Sequence, residues 1–531
     1  MKATYIDYSE TNSFSPAVIS YLNNDPKLSP FISHQPTISG FRELLKNKKS
    51  NADRTALVNV LKEQYSKNSG NPPSVLVANN IELLLQDNTY TVTTGHQLNI
   101  FTGPLYFIYK IVTAINLAKE LKANFPDKNF VPVYWMATED HDFEEINHTY
   151  IAGKKIVWDQ DTKGATGRLP LDTIHQSVKE YIAVLGLSEN AENLAEIIKN
   201  SYLNHNSLAD ATRYLADSLF AKYGLVILDA DNWELKKQFA SVMEQDIIGQ
   251  NSFKTINNTN ADLQRAGIEA QVNPREINFF YLSEHLRERI VFDNGKYSVL
   301  NTEITFSEED LRSEIRNHPE HFSPNVVMRP LYQETILPNI AYIGGGAEIV
   351  YWLQLKQTFD FYQIDFPILI LRNSALIVNE SLENKLKRLD LTFRDVFKKP
   401  QDLQKEWVLK HSKHNLNLTE EWQGLNLIFE KLKSRAHKID PTLAPSTEAV
   451  KARLQKAMTN LEHKLIKAEK RNYTDALTQI ENIKTQLFPN GELQERSQNF
   501  GLFYVKHGND FIASLINNFK PLEFKFTILE E

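Results

Sequence analysis

Residues 89–148 read TYTVTTGHQLNIFTGPLYFIYKIVTAINLAKELKANFPDKNFVPVYWMATEDHDFEEINH, and the change of pattern along them decides the fold. Residues 90–94 are β-branched and aromatic and run into Gly95. Residues 131–137 are a second apolar run, with Pro132 at its start and Glu139 just past its end. Each run predicts a strand. Between them, Ile108, Ile111, Val112, Ile115 and Ala118 fall at helical spacing within 105–122, which predicts a helix. Pro104 stands where a first helical residue would, its fixed φ and missing N–H costing nothing there. The three elements predict a βαβ unit. Residues 105–109 are apolar on all sides, so the helix start is expected to be buried on more than one side, as under a parallel sheet with a covering domain.

In open parallel sheets the ligand sits beyond the carboxyl ends of the strands, where loops and helix N-termini converge. That edge carries Gly95, His96 and Gln97 after the first strand. After the second come five carboxylates and two histidines within the ten residues 139–148, a density that a merely solvated loop rarely needs. Glu139, Asp140, His141, Asp142, Glu144, Glu145 and His148 allow a general-base cluster, a cradle for an ammonium group or a divalent metal site. Asp140 or Asp142 beside His141 would fix its tautomer and raise its basicity. His141 and His148 are seven apart, without the HExxH spacing of a zinc helix, and no metal ligand is assigned. His96, Asp140, His141 and Asp142 are the candidate proton-transfer groups.

Gly103 precedes Pro104 and, with Gly95, offers backbone N–H groups to an anion, although neither GxGxxG nor a P-loop is present. Lys110 follows the all-apolar run and needs a carboxylate partner or an anionic ligand. Gly344, Gly345 and Gly346 precede a predicted helix over 347–359. This is an anion-binding shape, but Glu348 in the first turn would repel a phosphate and instead cap the helix or meet an amine. Arg168, Arg275 and Arg329 are candidate carboxylate clamps or inter-domain ties.

The remaining chain divides as follows. Residues 1–73 look helical and connective, with a stop at Pro72 and Pro73; 74–150 are the first half of the core; 151–204 are an insertion. Residues 205–250 return to the core, with an amphipathic helix over 208–223, Gly224, and a strand over 225–228 running into Asp229 and Asp231. Residues 251–325 are an α+β insertion with strands at 278–282 and 289–292 and a turn at Asp293-Asn294-Gly295. Residues 326–374 supply the second half of the core, with strands at 339–343 and 367–371 around the glycine turn. In 375–500, Trp422, Leu425, Phe429, Leu432, Ala436 and Ile439 form a heptad seam. A single helix over 446–487, about 60 Å long, would return along it as an antiparallel coiled coil. Residues 501–531 return to the body. The fold class is α/β: a Rossmann-like parallel sheet with inserted connecting subdomains and a C-terminal coiled-coil domain.

The chain has 531 residues, a formal net charge of −7, 24% charged and 42% hydrophobic residues and no cysteine. The charge argues against nucleic acid as partner. No run approaches the roughly 18 apolar residues of a membrane helix, and residues 1–10 lack the pattern of a secretory signal. A cytoplasmic protein is expected, and zero cysteines exclude a cysteine nucleophile, thiolate metal ligands and disulfides.

The words TGHQLNIFTGPLY, EDHDFEEINH, SLADATRYLADSLFAKYGLVILDAD, NPREINFFYL, VVMRPLYQETILPNIAYIGGGAEIVYWLQLK and LFPNGELQER, in that order, resemble the bacillithiol synthase (BshC) family of cysteine ligases. The resemblance runs from about Phe14 to the C-terminus. Where many members read Gly-Gln-Gln, this chain has Gly95, His96 and Gln97, so the resemblance carries no indispensable proton-transfer role to His96. It implies addition of L-cysteine to the amine of glucosaminyl malate. Amide formation from a free carboxylate in water is uphill, so a nucleotide, ATP or ADP, enters as a candidate cofactor for activation. His96 and the 139–148 loop are then candidates near the amine, and Lys110 and the Gly95 and Gly345 turns for the carboxylate oxygens. The expected substrate-binding set is Gly95, Gln97, Gly103, Lys110, Glu139, Glu145, His148, Arg329, Gly344, Gly345, Gly346 and Glu348. A homodimer through the coiled coil is expected. A metal-dependent hydrolase built on the 139–148 loop, or a non-enzymatic scaffold with a degenerate nucleotide-binding body, are the alternatives.

Overall fold

A computed structural model describes residues 1–48, 52–67 and 73–531; Pro72 lies outside the described residues. The chain forms two compact units, one of Met1–Ser9, Ser13–Leu376 and Glu492–Leu529, the other of Glu10–Asn12, Ile377–Gly491 and Glu530–Glu531.

The larger unit is built on five parallel strands: β1 (Thr89–His96), β2 (Asn129–Met136), β3 (Val226–Asp229), β4 (Asn339–Gly344) and β5 (Ile368–Leu371). Their spatial order is 3-2-1-4-5, the doubly wound arrangement whose switch point lies between β1 and β4. Helix α1 (Tyr106–Asn124) connects β1 to β2 and is buried from Phe107 through Ala118, as the all-round apolar start predicted. Val92, Ala114, Leu117, Leu121, Ile343, Ile368 and Ile370 pack together beneath the sheet, each of the valine, leucine and isoleucine side chains contributing about 1.5–3 kcal/mol by burial. Helix α2 (Trp233–Gly249) follows β3, and α3 (Gly346–Leu353) follows β4.

A second sheet in this unit is antiparallel, in the order Thr305–Phe306, Lys296–Val299, Leu286–Asp293, Phe279–Ser283, Phe322–Pro324. Its hairpin turn has positive φ at both Asn294 and Gly295, the primed geometry that an Asn-Gly pair selects.

Three local expectations are corrected. Pro104 is not the first helical residue; α1 begins at Tyr106, after the Leu105 N–H is taken by the Gln498 carbonyl at 2.7 Å. The helix expected over 347–359 is two, Gly346–Leu353 and Lys356–Tyr362. At the break the Gln354 amide accepts from the Gln271 and Val272 N–H groups and donates to Asn260 and to the Val272 carbonyl. Residues 1–73 are not wholly helical, since Lys2–Asp7 is a strand paired with Lys525–Glu530.

In the smaller unit, α4 (Thr419–Ile439) and α5 (Leu443–Lys470) form the helical hairpin. The single helix expected over 446–487 is interrupted at Arg471–Tyr473 before α6 (Thr474–Leu487). Tyr473 leaves helical geometry (φ −120°, ψ 24°) while its hydroxyl donates to the His411 carbonyl at 2.8 Å.

Candidate active site

A cavity of about 720 Å³ lies at the carboxyl edge of the parallel sheet, the position and size of a small-molecule site. Register places it there. Gly95 pairs with Trp135 and His96 with Met136, while Thr94 pairs with Ile343 and Gly344 with Leu371. Gln97, Glu139, Gly345 and Arg372, which lie beyond the last paired residues of their strands, therefore line the cavity, joined by Asp231 after β3. The opposite wall is the antiparallel sheet, with Phe280, Arg287 and Arg289, flanked by the exposed Arg275.

One side is acidic. Lys236 of α2, fully buried, holds its ammonium 2.5 Å from Glu139 and 3.1 Å from Asp231, which Arg168 grips from the other oxygen at 2.7 Å. Burial pushes the Glu139 carboxyl above its ordinary value, against the pull of Lys236. Burial acts on Asp231 too, but Lys236 and Arg168 hold it below its ordinary value. Burial and then the charge of Asp231 push Asp229 up to about 6. One firmly ionised carboxylate thus stands between two that take protons more readily.

Between β1 and β4 the charges cancel internally. Lys110 lies 2.9 Å from the Gly95 carbonyl and 2.5 Å from Glu348. Glu348 also accepts from the Tyr342 hydroxyl at 2.7 Å and from the Gly345 N–H at 2.8 Å. The glycine turn is thus a self-capped helix start with its Gly345 donor already used, and Gly344, Gly345 and Gly346 all keep negative or extended φ. Burial pushes Lys110 down, opposed by Glu348, while Lys110 holds Glu348 down against burial.

Positive charge is left over toward the second sheet. The Arg329 guanidinium lies 5.6 Å from the Trp135 ring centre and 5.5 Å from that of Tyr342, and donates through Nη1 to Gln333 at 2.9 Å. The guanidinium also meets the Tyr351 hydroxyl, while its Nη2 and the Nε of Arg289 are buried with no hydrogen-bond partner among the described residues, which leaves each with donor capacity to spare. Arg372 is spent on Glu495 at 2.7 Å. His96 is buried under Tyr106, ring centres 5.3 Å apart, and its Nε2 has no hydrogen-bond partner among the described residues. Burial, with Lys110 and Arg372 adding, pushes His96 well below its ordinary value. The ring is therefore neutral, and with its proton on Nδ1 it presents a proton acceptor.

The segment 139–148 does not converge on one point. Glu139 and Asp140 line the cavity. Gln97 donates at 2.7 Å to both Asp140 and Glu145. His141 is half-exposed, its Nδ1 2.5 Å from an Arg287 nitrogen, with burial and then Arg287 pushing it below its ordinary value. Asp142 caps the short helix Phe143–Ile146 by accepting from the Glu145 N–H at 3.3 Å. His148 lies on the strand His148–Ile151, beside Asn147. The chain turns at Asp142 into that helix and then a hairpin, which carries these side chains apart. Gly103 also stays outside the lining: φ is +59°, a Cβ would meet that of Asn99 at 2.6 Å, and its carbonyl accepts from Asn499. It serves the turn.

Residue patterns do not single out Arg287, Arg289, Arg372, Lys236 or, as a site residue, Asp231. Asp231 and Arg372 were within reach, since each follows an apolar strand at the edge that carries Gly95.

Fold and site define a Rossmann-like body with an arginine-rich cavity at its switch point and an appended helical coiled coil. The chain belongs to the BshC family of bacillithiol biosynthesis. The family description "Bacillithiol biosynthesis BshC, N-terminal Rossmann-like domain" matches residues 1–373, and "Bacillithiol biosynthesis BshC, C-terminal coiled-coil domain" matches residues 375–531. Relatives carrying the name "Putative cysteine ligase BshC" include that of Flavobacterium johnsoniae, 45% identical over 532 residues and all of both chains. That of Flavobacterium psychrophilum is 45% identical over 534 residues, again all of both chains. A solved chain titled a putative arginyl-tRNA synthetase, from Campylobacter jejuni, aligns over 88% of this chain and 98% of its own at 12% identity, with a TM-score of 0.22, too low to carry an argument. Among the described residues, no helix is long and apolar enough to cross a membrane.

Proposed function

We propose that this chain is a cytoplasmic ligase that joins the carboxylate of L-cysteine to the amine of glucosaminyl malate, forming the amide of bacillithiol. The observation that carries this reading is the division of one cavity into an arginine side, with two donor atoms that have no partner among the described residues, and an acidic side, with the neutral imidazole of His96 between. The malyl group brings two carboxylates, which suit the free donors of Arg329 and Arg289. The attacking amine must lose a proton as the carbon–nitrogen bond forms, and the neutral imidazole of His96, which lines the cavity, would be its acceptor. Glu139 and Asp231 offer negative charge to the ammonium group of cysteine. A nucleoside triphosphate, when bound, would supply the activation that the cysteine carboxylate needs. Its phosphates would not meet the glycine turn, because the Gly345 N–H is already used.

The test is a thiol profile of cells deprived of this chain. Loss of bacillithiol with accumulation of glucosaminyl malate is expected, restored by the wild-type chain and at least tenfold less by Arg329→Ala. Normal bacillithiol without the chain contradicts the reading. We also propose that the active form is a homodimer paired through its coiled coil.

A further inference from the structure

We propose that His318, Glu320 and His321 form a binding site for a divalent cation of the zinc class, set behind the antiparallel wall of the cavity. One ligand atom from each of the three lies within 4.8 Å of the others, the only such group of histidine and carboxylate donors among the described residues. The local fold explains the convergence. Helix Glu308–Asn317 ends at His318, and Pro319 then starts the 3-10 turn Pro319–His321. At that tight pitch side chains three apart eclipse one another. The rings of His318 and His321 accordingly lie face to face, centres 5.2 Å apart and 17° from parallel. His318 Nδ1 lies 3.3 Å from Glu320 Oε1, which is the edge of a tetrahedron with metal bonds of about 2.0 Å.

Two further features point to an ion rather than to a surface hydrogen bond. The second Glu320 oxygen, Oε2, is buried with no hydrogen-bond partner among the described residues. Behind His321 stands Glu314, its Oε1 2.7 Å from Nδ1 and also accepting from the Tyr281 hydroxyl at 2.9 Å. A carboxylate there keeps the proton on Nδ1 and leaves Nε2 as the ligand atom, the arrangement that orients metal-binding histidines. The three side chains are 53%, 31% and 33% exposed, so an ion can enter from solvent and water can complete its shell.

The site would act on structure rather than on bond making. The Glu320 carbonyl accepts from Lys236 at 3.1 Å, the same ammonium that holds Glu139 and Asp231. Just beyond it Ser323 accepts from Arg287 at 3.1 Å, and Pro324 lines the cavity. A bound ion pins the turn from which both sides of the cavity are braced.

The experiment uses the full chain, stripped with a chelator and dialysed, with zinc chloride alone as probe. Wild type should retain one zinc per chain through desalting, measured by mass spectrometry of the metal, and His318→Ala and His321→Ala should retain none. Glu314→Gln should bind about 10–100-fold more weakly. Zinc should raise the melting temperature of wild type but not of His318→Ala. His318 is more than half exposed, so this variant should melt like wild type without zinc, and it decides the matter if His321→Ala fails to fold. Wild type that keeps no more zinc than His318→Ala overturns the proposal.

Discussion

Lys236 is the residue on which the acidic side of the cavity rests, because its buried ammonium is the cation nearest Glu139. Lys236→Met leaves that carboxylate buried and uncompensated, while Arg168 still holds Asp231. A loss of about 3–5 kcal/mol is expected at pH 8. It should shrink toward pH 5.5 as the carboxylates take protons, and urea unfolding at the two pH values measures both; a loss independent of pH contradicts the assignment. Glu334 gives a second titration. Burial pushes it up to about 7, above its ordinary 4.5, while Gln333 and Asn339 both donate to one of its oxygens. Between those values the folded chain binds a proton that the unfolded chain has released, so this residue makes stability fall as pH rises across the window, by on the order of 3 kcal/mol at most. Glu334→Gln keeps the accepting oxygen, and its stability at pH 8 relative to pH 5 should be higher than that of wild type. An unchanged difference would show that Glu334 does not titrate there. Neither residue was legible in the sequence. Lys236 is followed by Lys237, and nothing local says which is buried. Arg287 and Arg289 alternate on one strand and so share a face, but whether that face meets the cavity depends on pairing with Phe279–Ser283.

At the scale of elements, the βαβ unit was legible because its signals are local: two β-branched runs, a glycine at the end of one and an apolar helix between. The breaks at Gln354 and Arg471–Tyr473 were not, since each follows from partners distant in sequence, the Val272 loop in one case and the His411 carbonyl in the other. The glycine turn shows how an element can be placed correctly while its chemistry changes. Three glycines suggested backbone donors for an anion, and Glu348 instead takes the Gly345 donor for itself. Gly345 sits at φ −73°, ψ 173°, which any residue can adopt. A Cβ there would come within 3.4 Å of Glu348 and 3.8 Å of Arg372. Gly345→Val should therefore melt within a few degrees of wild type while its branched side chain crowds Glu348 and narrows the cavity. The ligand-induced thermal shift with glucosaminyl malate should fall sharply. A large drop in melting temperature with normal binding would show that the glycine serves the turn alone.

For the whole molecule, the quantity to account for is apolar surface on the smaller unit. The sheet of the larger unit covers its own core, with Val92, Ile340 and Ile343 fully buried. The hairpin does not: α4 has no buried residue in its 21 positions. Leu427, Ile428 and Ile439 remain 66%, 53% and 81% exposed, and Val450 and Leu461 on α5 are 52% and 50% exposed. Two antiparallel helices can hide one stripe each; of the heptad, Trp422, Leu425, Phe429 and Ala436 are half-buried, while Leu432 and Ile439 stay exposed. The residues left over lie on both arms, as a self-complementary pairing of two copies requires, since in a two-fold interface the same patch serves both partners. Pairing two hairpins into four helices would bury them without any change in the larger unit. Light scattering of the full chain should give twice 61.1 kDa. Leu427→Glu combined with Ile428→Glu should return it to 61.1 kDa with the larger unit still folded and its ligand-induced thermal shift intact. A wild-type mass of one chain at every concentration would mean that the exposed apolar residues of the hairpin serve some other contact.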